Sequence, residues 1–149
     1  METGPWWAAL TTWVVVNTVN IAQAVGFASR RSHGMAVNHV LGLVIAVLAI
    51  PATLALVGFA RAGNPWWIGP AVFDVFVVLM LVVDYLWPVQ WRDPARPMIL
   101  IPYLLLFFGS ILLMGIPMYT VNRGLWLVTV GTTAALLIAM TLALGQGAA

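Results

Sequence analysis

Residues 65–88 read PWWIGPAVFDVFVVLMLVVDYLWP, and the reading of this stretch decides the fold. Trp66 and Trp67 stand at one end and Trp87 at the other, with about twenty mostly apolar residues between them, the length that crosses a bilayer. At about 1.5 Å of rise per residue such a helix spans roughly 30 Å, the thickness of a hydrocarbon core. Tryptophan favours the headgroup level, so the stretch carries its own interfacial anchors. Asp74 and Asp84 lie inside it and account for two of the chain's four acids. An ionisable side chain within a membrane span is costly to bury, and each therefore marks a candidate functional position.

The rest of the chain has the same character. Of its 149 residues 63% are hydrophobic and 7% charged, with a mean hydropathy of +1.04. A soluble domain carries about 25% charged residues, so a water-facing surface cannot be assembled from this sequence. Cysteine is absent, which removes disulfides, thiolate nucleophiles and cysteine-ligated metal centres. All six basic residues are arginine, which removes lysine Schiff-base chemistry. The arginines set orientation in the membrane, and no nucleic-acid partner is expected. The opening METGPWW lacks the basic start of a secretory signal, and the apolar segment that follows is long enough to span.

Working outward from residues 65–88, four further apolar segments bring the expectation to an all-α integral membrane protein. It is a bundle of five transmembrane helices at about 6–28, 35–60, 66–87, 98–118 and 124–144, forming a single transmembrane domain over 1–149. SRRSHG at 29–34 is expected to close the first helix and RAGNP at 61–65 the second. Pro88, Pro94 and Pro97 exclude a helix from the longest connection, whose Arg92, Asp93 and Arg96 are read as a solvated, orienting loop. Arg30, Arg31, Arg92 and Arg96 fall on one side and Arg61 and Arg123 on the other. The positive-inside rule then places the N-terminus outside and the C-terminus in the cytoplasm, in the cytoplasmic membrane. PWW recurs at Pro5 and Pro65, read as independent anchoring of two outward-starting helices. Pro51, Pro102 and Pro117 are expected to kink the second and fourth spans.

With that topology each polar residue acquires a depth. Asn17 falls near mid-membrane, with Asn20 and Gln23 following at three-residue steps toward the cytoplasmic side. His39 falls in the first turn of the second span, Asp84 about one turn from the end of the third, and Tyr103 early in the fourth. Asn20, Gln23, His39, Asp84 and Tyr103 are thereby expected in one cytoplasmic-side layer. Asp74 stands apart, about 12 Å below the outer tryptophans, where it suits a carboxylic acid donor, a proton carrier or a cation site. Each has a plainer reading. The amides can simply join helices, His39 can sit at the interface, and Asp84 is shallow enough to pair with Arg92 or Arg31. The fifth span carries Gly131, Ala135, Ala139 and Ala143, a ridge of small side chains at four-residue spacing. It suits close packing inside the bundle, the favoured expectation, or a seam in a homo-oligomer.

Three functions fit these residues. The first is binding or transport of a small or amphipathic ligand through the polar layer, with Asp74, Asp84, His39, Asn17, Asn20, Gln23 and Tyr103 as ligand-binding or proton-carrying groups. The second is a membrane-embedded enzyme acting on a lipid or isoprenoid, with His39, Asp84 and Tyr103 near the headgroups. The third is an accessory subunit that works by lateral packing. No HExxH and no metal-ligand spacing occurs, so no metal or cofactor is expected and no catalytic residue is assigned. In size, span count and tryptophan richness the chain resembles the tryptophan-rich sensory protein family. PYLLLFFGSILLMGIP at 102–117 resembles one helix of that family, in a different order along the chain, and carries over no residue roles.

Overall fold

The computed structural model of the chain describes residues 4–92 and 94–146. Asp93 of the third connection lies outside the described residues. Among the described residues six α-helices form: α1 (Trp6–His33), α2 (Ala36–Val47), α3 (Ala49–Arg61), α4 (Ile68–Leu81), α5 (Pro97–Val121) and α6 (Arg123–Gly145). A 3-10 turn over Pro65–Trp67 leads into α4, and a π-helical turn over Val82–Leu86 ends it. Taken as continuous rods these give five helices long and apolar enough to cross a membrane, the second being α2 with α3.

Local chemistry explains where the elements begin and end. The first helix does not stop at Ser29, because nothing between Phe27 and His33 breaks a helix. It runs to Gly34, whose φ of 57° only glycine adopts freely and whose N–H donates to the Arg30 carbonyl at 2.9 Å. The second span breaks at Leu48. Pro51 lacks an N–H, and its ring crowds the carbonyl of Val47, so the helix restarts one residue later with the proline in its first turn. The α5 helix runs through Pro102 and Pro117. Asn64 and Asn122 supply the caps missing elsewhere. Each side-chain oxygen accepts from a backbone N–H, Trp66 at 2.9 Å and Leu125 at 3.1 Å.

The first helix is the pillar of the bundle. It packs on α6, α3, α2 and α5, and α4 closes the other side against α5 and α3. Its buried stripe, Ala8, Thr12, Val15, Val19, Ala22 and Gly26, keeps the three-to-four spacing of a single helix face. Phe73, Phe76, Phe107, Ile111, Met114 and Leu136 fill the space against it, and Ala55, Phe59 and Met118 form a second cluster with Ala8 and Ala9. The α4–α5 crossing is close. A methyl group on Gly69 would stand 3.0 Å from the backbone of Leu113 and Met114. Large apolar side chains cover the outside, among them Val40, Ile50, Leu54, Val78, Leu105 and Leu127. A surface of this kind belongs in lipid.

The small-residue ridge of the last helix behaves differently from the favoured expectation. Ala143 is buried and Ala139 partly so, but Gly131 and Ala135 face outward, with open space over Gly131. Thr129, Thr132, Thr133 and Leu136 form the face that meets α1.

Candidate functional site

The polar residues separate into three places. The first is the α1–α6 seam at mid-height. Asn17 donates through Nδ2 to the Trp13 carbonyl at 2.8 Å and the Thr129 hydroxyl at 3.1 Å, and its Oδ1 accepts from Thr132 at 2.7 Å. One turn on, Asn20 Nδ2 donates to Thr132 at 3.1 Å and Thr133 at 2.9 Å. Its Oδ1 is buried without a partner. Trp13 adds a bond from its indole N–H to the Leu125 carbonyl at 2.7 Å. Each such interhelical bond contributes about 0.6 kcal/mol, and the set holds two helices together. Asn17 and Asn20 thus bond across to α6.

The second place holds Asp74. Its Oδ2 lies 2.8 Å from the hydroxyl of Thr53 on α3, and its Oδ1 is buried without a partner. The same hydroxyl lies 2.8 Å from the Ala49 carbonyl. Thr53 has one hydrogen for two acceptors. Both contacts become hydrogen bonds when Asp74 carries a proton and donates it to Thr53, which then donates to Ala49. Asp74 does not join the other polar groups.

The third place is a cavity of about 430 Å³ at the arginine-bearing end. The C-terminal ends of α1, α4 and α6 and the N-terminal ends of α2 and α5 surround it, so successive spans alternate in direction. Gln23, His39, Asp84 and Tyr103 all line it. The layer expected from depth thus forms, without Asn20. Phe27, Met80, Leu104, Phe107, Phe108 and Met140 supply apolar wall. Its volume suits a small organic molecule.

Asp84 is the electrostatic centre of this cavity. Arg92 clasps it with two parallel bonds, Nη1 to Oδ1 at 2.9 Å and Nη2 to Oδ2 at 3.1 Å. The Trp91 indole donates to Oδ1 at 3.2 Å and the Tyr103 hydroxyl to Oδ2 at 3.3 Å. The connection is therefore no loose loop. The Arg96 N–H closes back on the Trp91 carbonyl at 2.9 Å, and Trp91 is only 3% exposed. Its ring packs on Tyr103 at 4.6 Å, and the Arg92 guanidinium lies 3.9 Å above it. The π turn adds Tyr85 beside Asp84. The Tyr85 hydroxyl donates to the His39 carbonyl, and the two rings sit 4.3 Å apart. Gly42 permits this, since a methyl group there would collide with the Tyr85 hydroxyl. Turns of this type recur at functional sites because they re-aim adjacent side chains.

Comparison with family models, curated proteins and solved structures finds no match to this chain. The likeness to the tryptophan-rich sensory proteins gains nothing from them, and the site is read from its own residues.

Five residues at the cavity were not singled out as site groups from the sequence: Arg30, Asn38, Tyr85, Trp91 and Arg92. Arg30 lies over the Phe27 ring at 4.2 Å. With the Asn38 amide oriented to donate to the Gly26 carbonyl at 2.7 Å, its oxygen accepts from Arg30 Nε and Nη2 at 3.2 and 3.0 Å. The usable signal was the unbroken helical run to Gly34, which carries Arg30 onto α1. Among the described residues, no group of three His, Asp or Glu side chains is placed to hold a metal ion.

Proposed function

We propose that this protein binds a small amphipathic ligand within the membrane, in the cavity at its arginine-bearing end. The observation that carries the reading is the pairing, in one 430 Å³ space, of an aromatic and aliphatic wall with a polar wall. Four of the six arginines, Arg30, Arg31, Arg92 and Arg96, belong to this end, which supports reading it as the cytoplasmic leaflet of the cytoplasmic membrane with the N-terminus outside. Gln23, His39, Asp84 and Tyr103 are the ligand-facing groups. Asp84 acts indirectly, because Arg92, Trp91 and Tyr103 already occupy its oxygens, and it holds those three in place.

Binding is favoured over passage across the membrane. Asn17 and Asn20, which would continue a polar path inward, are engaged with α6, and Asp74 is engaged with Thr53. Acid–base catalysis by His39, Asp84 and Tyr103 lacks a comparable observation, since Asp84 is saturated and His39 stacks on Tyr85. The outward Gly131 and Ala135 are where a second copy would pack in an oligomer.

Native mass spectrometry of gently extracted protein tests the proposal, with the organic extract identified. The expected result is a stoichiometric adduct distinct from bulk phospholipid, lost in Leu104→Trp, which fills the cavity, and kept in Asn17→Ala. Protein that carries only bulk phospholipid, and that no amphiphile stabilises against heat, contradicts it.

A further inference from the structure

The cavity wall carries an uneven set of charges. Among the described residues Arg30 and Arg92 both line it, against one carboxylate, that of Asp84. Asp84 and Arg92 form the ion pair, which leaves Arg30 as an unmatched cation among the described residues. Arg30 is half-buried, its charge resting on the Phe27 face and on the neutral amide of Asn38. That amide takes Nε–H and one Nη2 hydrogen, and a guanidinium has five N–H donors. Donors therefore remain for a group that enters the cavity. A cation at membrane depth is ordinarily paired or faces a water-filled space, and this one faces the cavity.

We infer that the cavity selects an amphipathic anion, with an oxyanion head, phosphate or carboxylate, at Arg30 and a hydrocarbon tail along Leu104, Phe107 and Met140. This rests on the binding reading given above and names its ligand class. A planar guanidinium meets either oxyanion with two parallel hydrogen bonds, a geometry that an alcohol or an ammonium head cannot reproduce. The oxyanion could belong to a bilayer lipid or to a free amphiphile that partitions into the membrane, and the two share this chemistry.

The test uses the full chain in phosphatidylcholine nanodiscs and four probes of equal tail: dodecyl phosphate, dodecanoate, dodecanol and dodecyltrimethylammonium. The expected result is at least about tenfold tighter binding of the two anions than of dodecanol, and weaker binding still of the cation. Arg30→Gln, which keeps a donor for Asn38, should erase the anion advantage while dodecanol binding and the melting temperature stay put. Arg30→Lys should restore part of it. Equal binding of dodecanol and the anions, unchanged by Arg30→Gln, overturns the anion inference and leaves the binding reading standing. Failure of all four probes to bind overturns both. Replacing part of the phosphatidylcholine by phosphatidylglycerol then separates the sources. Competition with dodecyl phosphate marks the anion as a lipid headgroup, and undiminished binding marks it as a free amphiphile.

Discussion

The α1–α6 seam and the arginine-end cavity both gather polar side chains inside the bundle, yet they use them in opposite ways. In the seam the amides of Asn17 and Asn20 point at threonine hydroxyls one helix away, and Asn20 Oδ1 stays buried without a partner. In the cavity the polar groups hold one another around a void. Asp84 is saturated by Arg92, Trp91 and Tyr103, while Arg30 and Gln23 face open volume. Polarity in a membrane helix is thus no sign of function by itself. What distinguishes the two regions is whether the polar side chains meet one another across two packed helices or surround a void with donors to spare.

The sharpest way to break this comparison is to remove the keystone of the cavity. Asp84→Ala strips Arg92, Trp91 and Tyr103 of their shared acceptor, and the expected cost is about 2 kcal/mol in a reversible unfolding measurement. That is below the 3–5 kcal/mol typical of fully buried pairs, because Arg92 reaches solvent. Ligand binding should fall at the same time, since Trp91 and Arg92 lose their anchor. An Asp84→Ala protein that binds as tightly as the parent would mean that the cluster does not shape the cavity.

Asn17→Ala comes next. It removes the three contacts of one amide and should cost about 1–2 kcal/mol in the same measurement. Ligand affinity should not change. Asp74→Asn is smaller, within about 1 kcal/mol, because the amide N–H can donate to Thr53 as the protonated acid would. A much larger loss would show that Asp74 is an anion held by Thr53. Gly131→Leu is smallest. It meets open space, so the monomer should keep its stability within about 0.5 kcal/mol. A loss of dimer in cross-linking or mass analysis, with the monomer intact, would sharpen the picture by assigning the outward ridge to a second copy.

Much of the architecture is legible in the sequence. Tryptophan-flanked apolar runs of bilayer length leave little freedom, and five long apolar helices form. Depth also brought Gln23, His39, Asp84 and Tyr103 together correctly, since helical rise converts sequence position into height. Rotation about the helix axis was less legible. Asn17, Asn20 and Gln23 drift around α1, and the first two turn to α6 because Thr129, Thr132 and Thr133 stand there to receive them. Threonine is at home on either a buried or a lipid-facing side, so it did not announce that face. The outward turn of Gly131 is the other half of the same ambiguity. The pairing of Asp84 with Arg92 follows from depth and forms, but the inward packing of Trp91 is hidden by a sound inference carried one step too far. Prolines exclude a helix there, but a non-helical connection can still fold inward when a carboxylate such as Asp84 offers its side chains an acceptor.

The central claim is that the void at the arginine end, and not the seam or the lipid-facing surface, receives a ligand. Photoaffinity labelling with an alkyl amphiphile that carries a diazirine in its tail, followed by peptide mapping, addresses it most directly. The account predicts labels concentrated on Leu100, Leu104 and Met140 and removed by excess unlabelled amphiphile. Labels spread evenly over outward residues such as Val75, Val78 and Ile138, and indifferent to competition, would contradict it.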